Sequence, residues 1–412
     1  VIDRLIAGSP ASEFAEWYGT PLIVYDLDEV DLNVDEFAGA FIERGITVGY
    51  AAKAFFCTAL AEVLAATPLW LDVCSLGELR TAERGGFPAG RIYFHGCGKT
   101  DDELQAIADG RVAFGVVDNA EELARLGEIA GRSRPSQGGP VPIVLRINTG
   151  IEAHTHEYIR TAGDRTKFGV ALADVPDLLA RIARDPGLRL IGLHAHIGSQ
   201  IAEVAPYLES LGLLIDQAHA ARALGLPVEL LIAGGGMGVE ETPGDPRPLD
   251  YFALSEGMED AVRGTPFRLA IEPGRAVIAR AGTSLYRVMA VKSQGGRRFA
   301  IVDGGMADNP RPALYGAVHA FEVMTSAAAA PPEDAVLCGR SCENDVLGSV
   351  AIPADLRAGD LVALRTTGAY TYSMASNYNR FGKPAVVFAR DGSHRLVIRR
   401  ETADDTLRND IG

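Results

Sequence analysis

The chain has 412 residues, a length that favours two hydrophobic cores, although one α/β barrel alone can absorb about 250. Its 54 acidic and 39 basic residues give a formal charge of −15, which argues against nucleic acid or an anionic membrane as principal partner, since both require basic patches. The five cysteines (Cys57, Cys74, Cys97, Cys338, Cys342) form no CxxC pair, and no run reaches the ~18 apolar residues of a membrane helix, so a disulfide framework, a structural zinc site and a membrane span are not expected.

At the N-terminus, "VIDRLIAGSP" lacks the basic-then-apolar pattern of a secretory leader, which points to a cytoplasmic protein acting on a small soluble ligand. "TPLIVYD" (20–26) reads as a strand, and with nothing parallel after it, it is free to join a C-terminal sheet. Between residues 46 and 275 come eight strand-like segments: "ITVGYAAK", "LWLDVCS", "RIYFHG", "AFGVVD", "PIVLRIN", "LIGLHAHIG", "VELLIAGGG" and "FRLAIEPGR". Amphipathic segments such as "SLGELRTAERGG", "TDDELQAIADG", "NAEELARLGEIAG" and "ADVPDLLARIARD" separate them, most opening on a capping Ser, Thr, Asp or Asn. Strand–helix alternation implies parallel pairing, and eight repeats close a (β/α)8 TIM barrel. From about residue 280 the pattern turns to β segments without intervening helices: "LYRVMAVKS", "RRFAIVDGG", "AVLCGR", "LVALRTTGAY", "PAVVFAR" and "RLVIRR". "AAAAPPED" (327–334) reads as a surface loop. The expected organisation is an α/β barrel over 27–279, with 1–26 and 280–412 forming a C-terminal all-β, β-barrel-like domain.

In such barrels the loops leaving the C-terminal strand ends carry the chemistry. The unusual polar residues fall there: Lys53, Asp72 with Ser75, His95, Asp118, Arg146 with Asn148, His194 with His196, the glycines 234–236, and Glu272 with Arg275. Any one of them alone would be an ordinary solvated strand end, but their convergence from all eight strands marks an active site. "AGGGMG" (233–238) exposes backbone N–H groups after the seventh strand, at a position where phosphate sites recur in these barrels. Without a GxGxxG or GxxxxGK pattern opening a helix, a phosphate-bearing cofactor fits better than a nucleotide. The pairs "HTH" (154–156) and "LHAH" (193–196) keep a metal-dependent hydrolase open, because histidines two apart on a strand face the same way. That reading leaves Lys53 and the glycines unexplained. A lysine in the apolar stretch "GYAAKAFF" either snorkels to water or is held for its amine; partial desolvation would lower its pKa and make it a nucleophile. With a phosphate cradle and an acid on the eighth strand, this suits pyridoxal 5'-phosphate held as a Schiff base.

These segments, with "YGTPLIVYD", "YAAKAF", "LDVCSLGEL", "HTHEYIRT", "TKFG", "GLHAHIGSQ", "GGGMG", "EPGR", "VDGGMADNPRPALYGAVH", "SCENDV", "TGAYTYSMASNYN" and "RRETADD", resemble the fold-type III pyridoxal-phosphate decarboxylases, and among them the diaminopimelate decarboxylase group, over nearly the whole chain. The resemblance implies a homodimer with shared active sites and decarboxylation of meso-diaminopimelate to L-lysine and CO2. It implies Lys53 as the Schiff-base lysine and His196 as the imidazole stacked on the cofactor ring. Ser199, Gly235, Gly236, Gly274 and Tyr370 resemble the phosphate-binding set, and Glu272 the partner of the pyridine nitrogen. Cys342 resembles the proton donor reaching in from the partner subunit, although a lone cysteine read by itself is more simply a small buried hydrophobe. Arg275, Arg311, Tyr315, Glu343 and Tyr370 match substrate-binding positions, and their chemistry suits a distal end that is itself an amino acid: arginines for a carboxylate, Glu343 for an ammonium.

Two departures stand out. Where the family commonly has Cys-Glu-Ser-Gly-Asp, this chain has "CENDV" (342–346), one residue shorter before the aspartate, and Phe55 stands where many relatives have asparagine. The shortened loop keeps a second reading in view, a related decarboxylase acting on another amino acid or conjugate, such as a siderophore or antibiotic intermediate or a carrier-bound glutamyl group. A non-catalytic pyridoxal-phosphate carrier is a third, disfavoured because such proteins are usually a lone barrel.

Overall fold

The computed structural model describes every residue except 1, 133–138, 152–165, 243–247 and 327–329. The chain divides into two compact units, one of residues 34–239 and 247–274, the other of 1–33, 240–246 and 275–412. Among the described residues no helix is long and apolar enough to cross a membrane.

In the first unit eight parallel strands close into a barrel: Thr47–Ala51, Trp70–Val73, Ile92–Phe94, Phe114–Val117, Val141–Asn148, Leu188–His194, Leu230–Ile232 and Arg268–Ile271. The eighth pairs with the first, Ala270 opposite Thr47 and Ile271 opposite Val48, and this completes the ring. Each strand lies within or overlaps a segment legible in the sequence. The segments are apolar on both faces because outward residues meet helices while inward ones fill the barrel. Tyr93, Phe114, Val116, Val144, Ile232 and Ala270 form that inner cluster. Helix starts are fixed by side chains: the Ser75 hydroxyl accepts the Glu78 N–H at 3.2 Å ahead of Leu76–Arg84, and Thr100 and Glu103 form a reciprocal capping box ahead of Asp101–Ala108. Such caps start each helix close after its strand, so the strand ends open directly onto short loops.

The second unit is built on a ten-stranded sheet. Leu22–Asp26 joins it as expected, pairing antiparallel with Gly282–Gln294 and parallel with Ala385–Arg390. Two apolar clusters hold it, one around Leu22, Val24, Leu285 and Val387, the other around Tyr286, Val302, Leu337 and Val362. Three sequence expectations need correction. Residues 332–334 are not loop but the start of the strand Pro332–Cys338, which pairs antiparallel with Val346–Pro353; proline is tolerated as a first strand residue. The strands Phe321–Ser326 and Val346–Pro353 were not legible. The β segments are also not free of helix, since Arg311–Tyr315 forms a short one.

Candidate active site

The polar residues expected at the barrel mouth lie at or just beyond the C-terminal strand ends. Glu272, one residue past the eighth strand, is buried and held by two imidazoles: its Oε1 is 2.8 Å from His95 Nε2 and its Oε2 is 2.9 Å from His194 Nε2. Burial alone would raise the Glu272 pKa, but the electrostatic pull and hydrogen bonds of the His95 and His194 rings prevail and hold the carboxyl well below its usual range. Burial also lowers His194 to about 4, so it donates as a neutral ring. The result is a carboxylate anion fixed in orientation. His95, His194 and Glu272 are a triad whose ligand atoms lie within 4.8 Å of one another, but those atoms are already engaged in imidazole–carboxylate hydrogen bonds. The metal alternative pictured His194 and His196 sharing an ion; instead His196 Nδ1 accepts the Gly235 N–H at 3.2 Å, away from Glu272. His154 and His156 lie outside the described residues.

The glycine run has the shape an anion cradle needs. A Cβ on Gly235 would sit 1.9 Å from the Glu272 carbonyl oxygen, and one on Gly236, at φ +93°, 2.0 Å from that of Gly198. Only glycine fits at either place. The Tyr207 hydroxyl donates to the Gly235 carbonyl at 3.0 Å and pins the loop. Gly274 is buried beside Pro273, whose carbonyl accepts the Ala51 N–H at 3.0 Å and ties "EPGR" to the first strand. Ser199 is partly exposed one residue past Gly198. His196 is partly exposed, and burial, then the positive charges of Lys53 and Arg146, lower its pKa well below the usual value, so it presents a neutral flat ring. A side-chain-free backbone cradle, a neutral ring and a fixed carboxylate fit a phosphorylated pyridine cofactor.

Lys53 departs from expectation. It sits on the single helical turn Ala52–Ala54 between buried alanines, but is itself exposed, so the desolvation expected of it is absent from the chain as it stands. Its charge still reaches the mouth, helping to lower His196 and to offset the burial that raises Asp72 to about 6.

The second unit brings several of the expected substrate residues together. Arg275 opens the helix Arg275–Ile278 and Arg311 the helix Arg311–Tyr315, and both guanidiniums are buried. Arg275 Nη1 at 2.6 Å and Arg311 Nη2 at 3.0 Å donate to the same Oε1 of Glu241, a residue the sequence reading did not single out. Two cations desolvated side by side need an anion between them; burial and Arg275 lower the Arg311 pKa, and Glu241 counters them. Tyr370, held at φ +58°, packs its ring 5.0 Å from the Arg275 guanidinium, and Tyr315 lies 5.9 Å from that of Arg311. A left-handed tyrosine is costly backbone and persists where its surroundings dictate it. His319, also missed, is buried nearby, and burial and the two guanidiniums lower it to about 3. Cys342 is exposed, its N–H bonded to Asn379 Oδ1 at 3.1 Å, and Glu343 accepts the Tyr378 hydroxyl.

The pyridoxal-binding domain of the pyridoxal-dependent decarboxylases matches residues 27–279. A diaminopimelate decarboxylase from Actinosynnema pretiosum subsp. auranticum is 42% identical over 99% of this chain and 93% of its own length, and one from Mycobacterium tuberculosis 40% identical over 98% and 93%. The crystal structure of the Helicobacter pylori diaminopimelate decarboxylase, complexed with L-lysine, superposes with a TM-score of 0.89 at 31% identity, covering 96% of this chain and 98% of that one. With the barrel, the glycine cradle and the Glu272 triad in place, these matches identify the chain as a member of the diaminopimelate decarboxylase family, pyridoxal-phosphate-dependent carboxy-lyases.

Proposed function

We propose that the enzyme decarboxylates meso-diaminopimelate to L-lysine and CO2, in the cytoplasm, as a homodimer with shared active sites. The observation that carries the substrate reading is the grip of Arg275 and Arg311 on one carboxylate oxygen of Glu241. Paired guanidiniums are a carboxylate receptor, and the diamine precursors ornithine and lysine have no distal carboxylate to offer it. Glu241 stands in for the substrate group and is displaced by it.

Bound pyridoxal phosphate supplies an electron sink for the pair left on the α-carbon when CO2 departs. Lys53 would hold the cofactor through its amine. Gly235, Gly236, Ser199, Gly274 and Tyr370 would hold its phosphate, and His196 would offer its neutral ring to the cofactor. The Glu272 anion, kept ionised by its His95 and His194 bonds, would keep a proton on the cofactor's ring nitrogen. Cys342 delivers a proton to the α-carbon, Glu343 takes the distal ammonium, and Tyr315 lines the carboxylate end. Exposed Leu314 and Val318, either side of Tyr315 in sequence, support a second copy as the partner.

CO2 release from a panel of amino acids tests the reading. Diaminopimelate is the preferred substrate, and faster turnover of lysine, ornithine or a glutamyl conjugate would instead favour the reading suggested by the shortened "CENDV" loop. In the same assay Glu241→Gln lowers the KM for diaminopimelate about ten-fold, because the internal competitor is weakened. A raised KM would make Glu241 a substrate ligand.

A further inference from the structure

We propose that the N-terminal end of the barrel is a second binding site, for a small carboxylate carrying an aromatic or short aliphatic body. The barrel is hollow there. A cavity of about 220 Å³ lies among the inward side chains Trp70, Tyr93, Phe114, Ile191 and Leu230, at the end opposite the glycine cradle. Barrels of this class normally fill their interior with layers of bulky branched side chains. Here the first and eighth strands contribute Thr47, Gly49 and Ala270 to the lining, which are too small to close the layer.

Three features define what would fill it. The walls are apolar and largely aromatic, with the Tyr93 and Phe114 rings stacked 5.0 Å apart, so the occupant has an apolar body. An apolar cavity of about 150 Å³ holds a benzene ring, so this one has room for a ring and a short chain. At the rim stand Arg189 and Arg268, both exposed, and among the described residues neither guanidinium has an ion-pair or hydrogen-bond partner. In a chain with 54 acidic residues, two unpaired guanidiniums flanking one opening select an anion, and their planar forks select a carboxylate.

Inside, the Tyr93 side chain lines the cavity. Its hydroxyl is buried and lies close to the Glu272 carboxylate, on the catalytic side of the cavity. A Cβ on Gly49 would lie 2.1 Å from this oxygen, so the phenol spans the barrel to the first strand only because residue 49 is glycine. The Tyr93 ring also lies 5.6 Å edge-on from His95, so an occupant is one side chain removed from the imidazole that holds Glu272.

The chain has two tryptophans, and Trp17→Phe, at an exposed position, leaves Trp70 in the cavity wall as the sole reporter. The holoenzyme of this variant is titrated with phenylpropanoate, phenylpropylamine and phenylpropanol while Trp70 fluorescence and cofactor absorbance are recorded together. The carboxylate is expected to give a saturable fluorescence change with a midpoint near or below about 1 mM, without competing with substrate, while the amine and alcohol give none. Combining Arg189→Gln with Arg268→Gln, both surface changes, raises that midpoint about ten-fold or more. The proposal is overturned if no saturable change appears up to about 10 mM, if amine or alcohol binds as tightly, or if the arginine changes have no effect. A response seen in cofactor absorbance and relieved by substrate would place the ligand in the catalytic site and overturn it equally.

Discussion

Glu272 shows what a single residue contributes and how little of it a sequence reveals. "EPGR" marks the acid, but its state depends on His95 and His194, 177 and 78 positions away, which only barrel closure brings to 2.8 and 2.9 Å. Those two histidines are legible as polar residues at strand ends, not as partners of one carboxylate. Replacing the anion by a neutral isostere isolates its role: Glu272→Gln retains the cofactor, seen by its absorbance, and loses roughly 10²-fold or more in kcat. An unimpaired variant would remove Glu272 from the chemistry. Glu241 was missed for a related reason, since nothing in "GVEETPGD" says that Arg275 and Arg311 will close on it. Lys53 differs in another way: its apolar neighbours suggest a desolvated amine, whereas on the one-turn helix Ala52–Ala54 the residue is exposed.

At the level of elements, the barrel strands were legible because strands covered on both faces read as short apolar runs of β-branched and aromatic residues. Phe321–Ser326 was hidden because its partly exposed Glu322 serves Arg4 and Arg365, so the strand carries charge where a strand signal wants an apolar face. Val346–Pro353 alternates partly and fully exposed positions around Gly348 and Ser349, and among the described residues it pairs only with Pro332–Cys338 at the sheet edge. The connection between the third and fourth barrel strands rests on a buried ion pair. Lys99 Nζ donates to Glu122 Oε1 at 2.7 Å and to the carbonyls of Gly96 and Val116 at 2.8 and 2.6 Å. Removing one partner leaves the other charge buried alone, so Lys99→Met costs about 3–5 kcal/mol, read as a fall in the urea midpoint of the barrel transition. Changing both partners to apolar residues, Lys99→Met with Glu122→Leu, recovers most of that loss; equal destabilisation by single and double variants would contradict the assignment.

On the scale of the whole molecule, the sequence yields a barrel and a separate β unit, and the division of the chain between them is interleaved: residues 240–246 belong with the β unit although barrel strands flank them on both sides. No strand or helix period signals that excursion, which carries Glu241 to the two arginines. The proposed homodimer is tested through Leu314 and Val318, exposed at 52% and 60%. Introducing Leu314→Asp with Val318→Asp shifts the sedimenting species from dimer to monomer and lowers activity in parallel, whereas a dimer that persists at low protein concentration would place the interface elsewhere.

The chain has five lysines, Lys53, Lys99, Lys167, Lys292 and Lys383, of which Lys99 is buried in its ion pair with Glu122. Borohydride reduction of the holoenzyme followed by peptide mapping therefore tests the central claim with little ambiguity. The account predicts a pyridoxyl adduct on the peptide containing Lys53 and on no other; an adduct at another lysine, or none in a fully active enzyme, would contradict it.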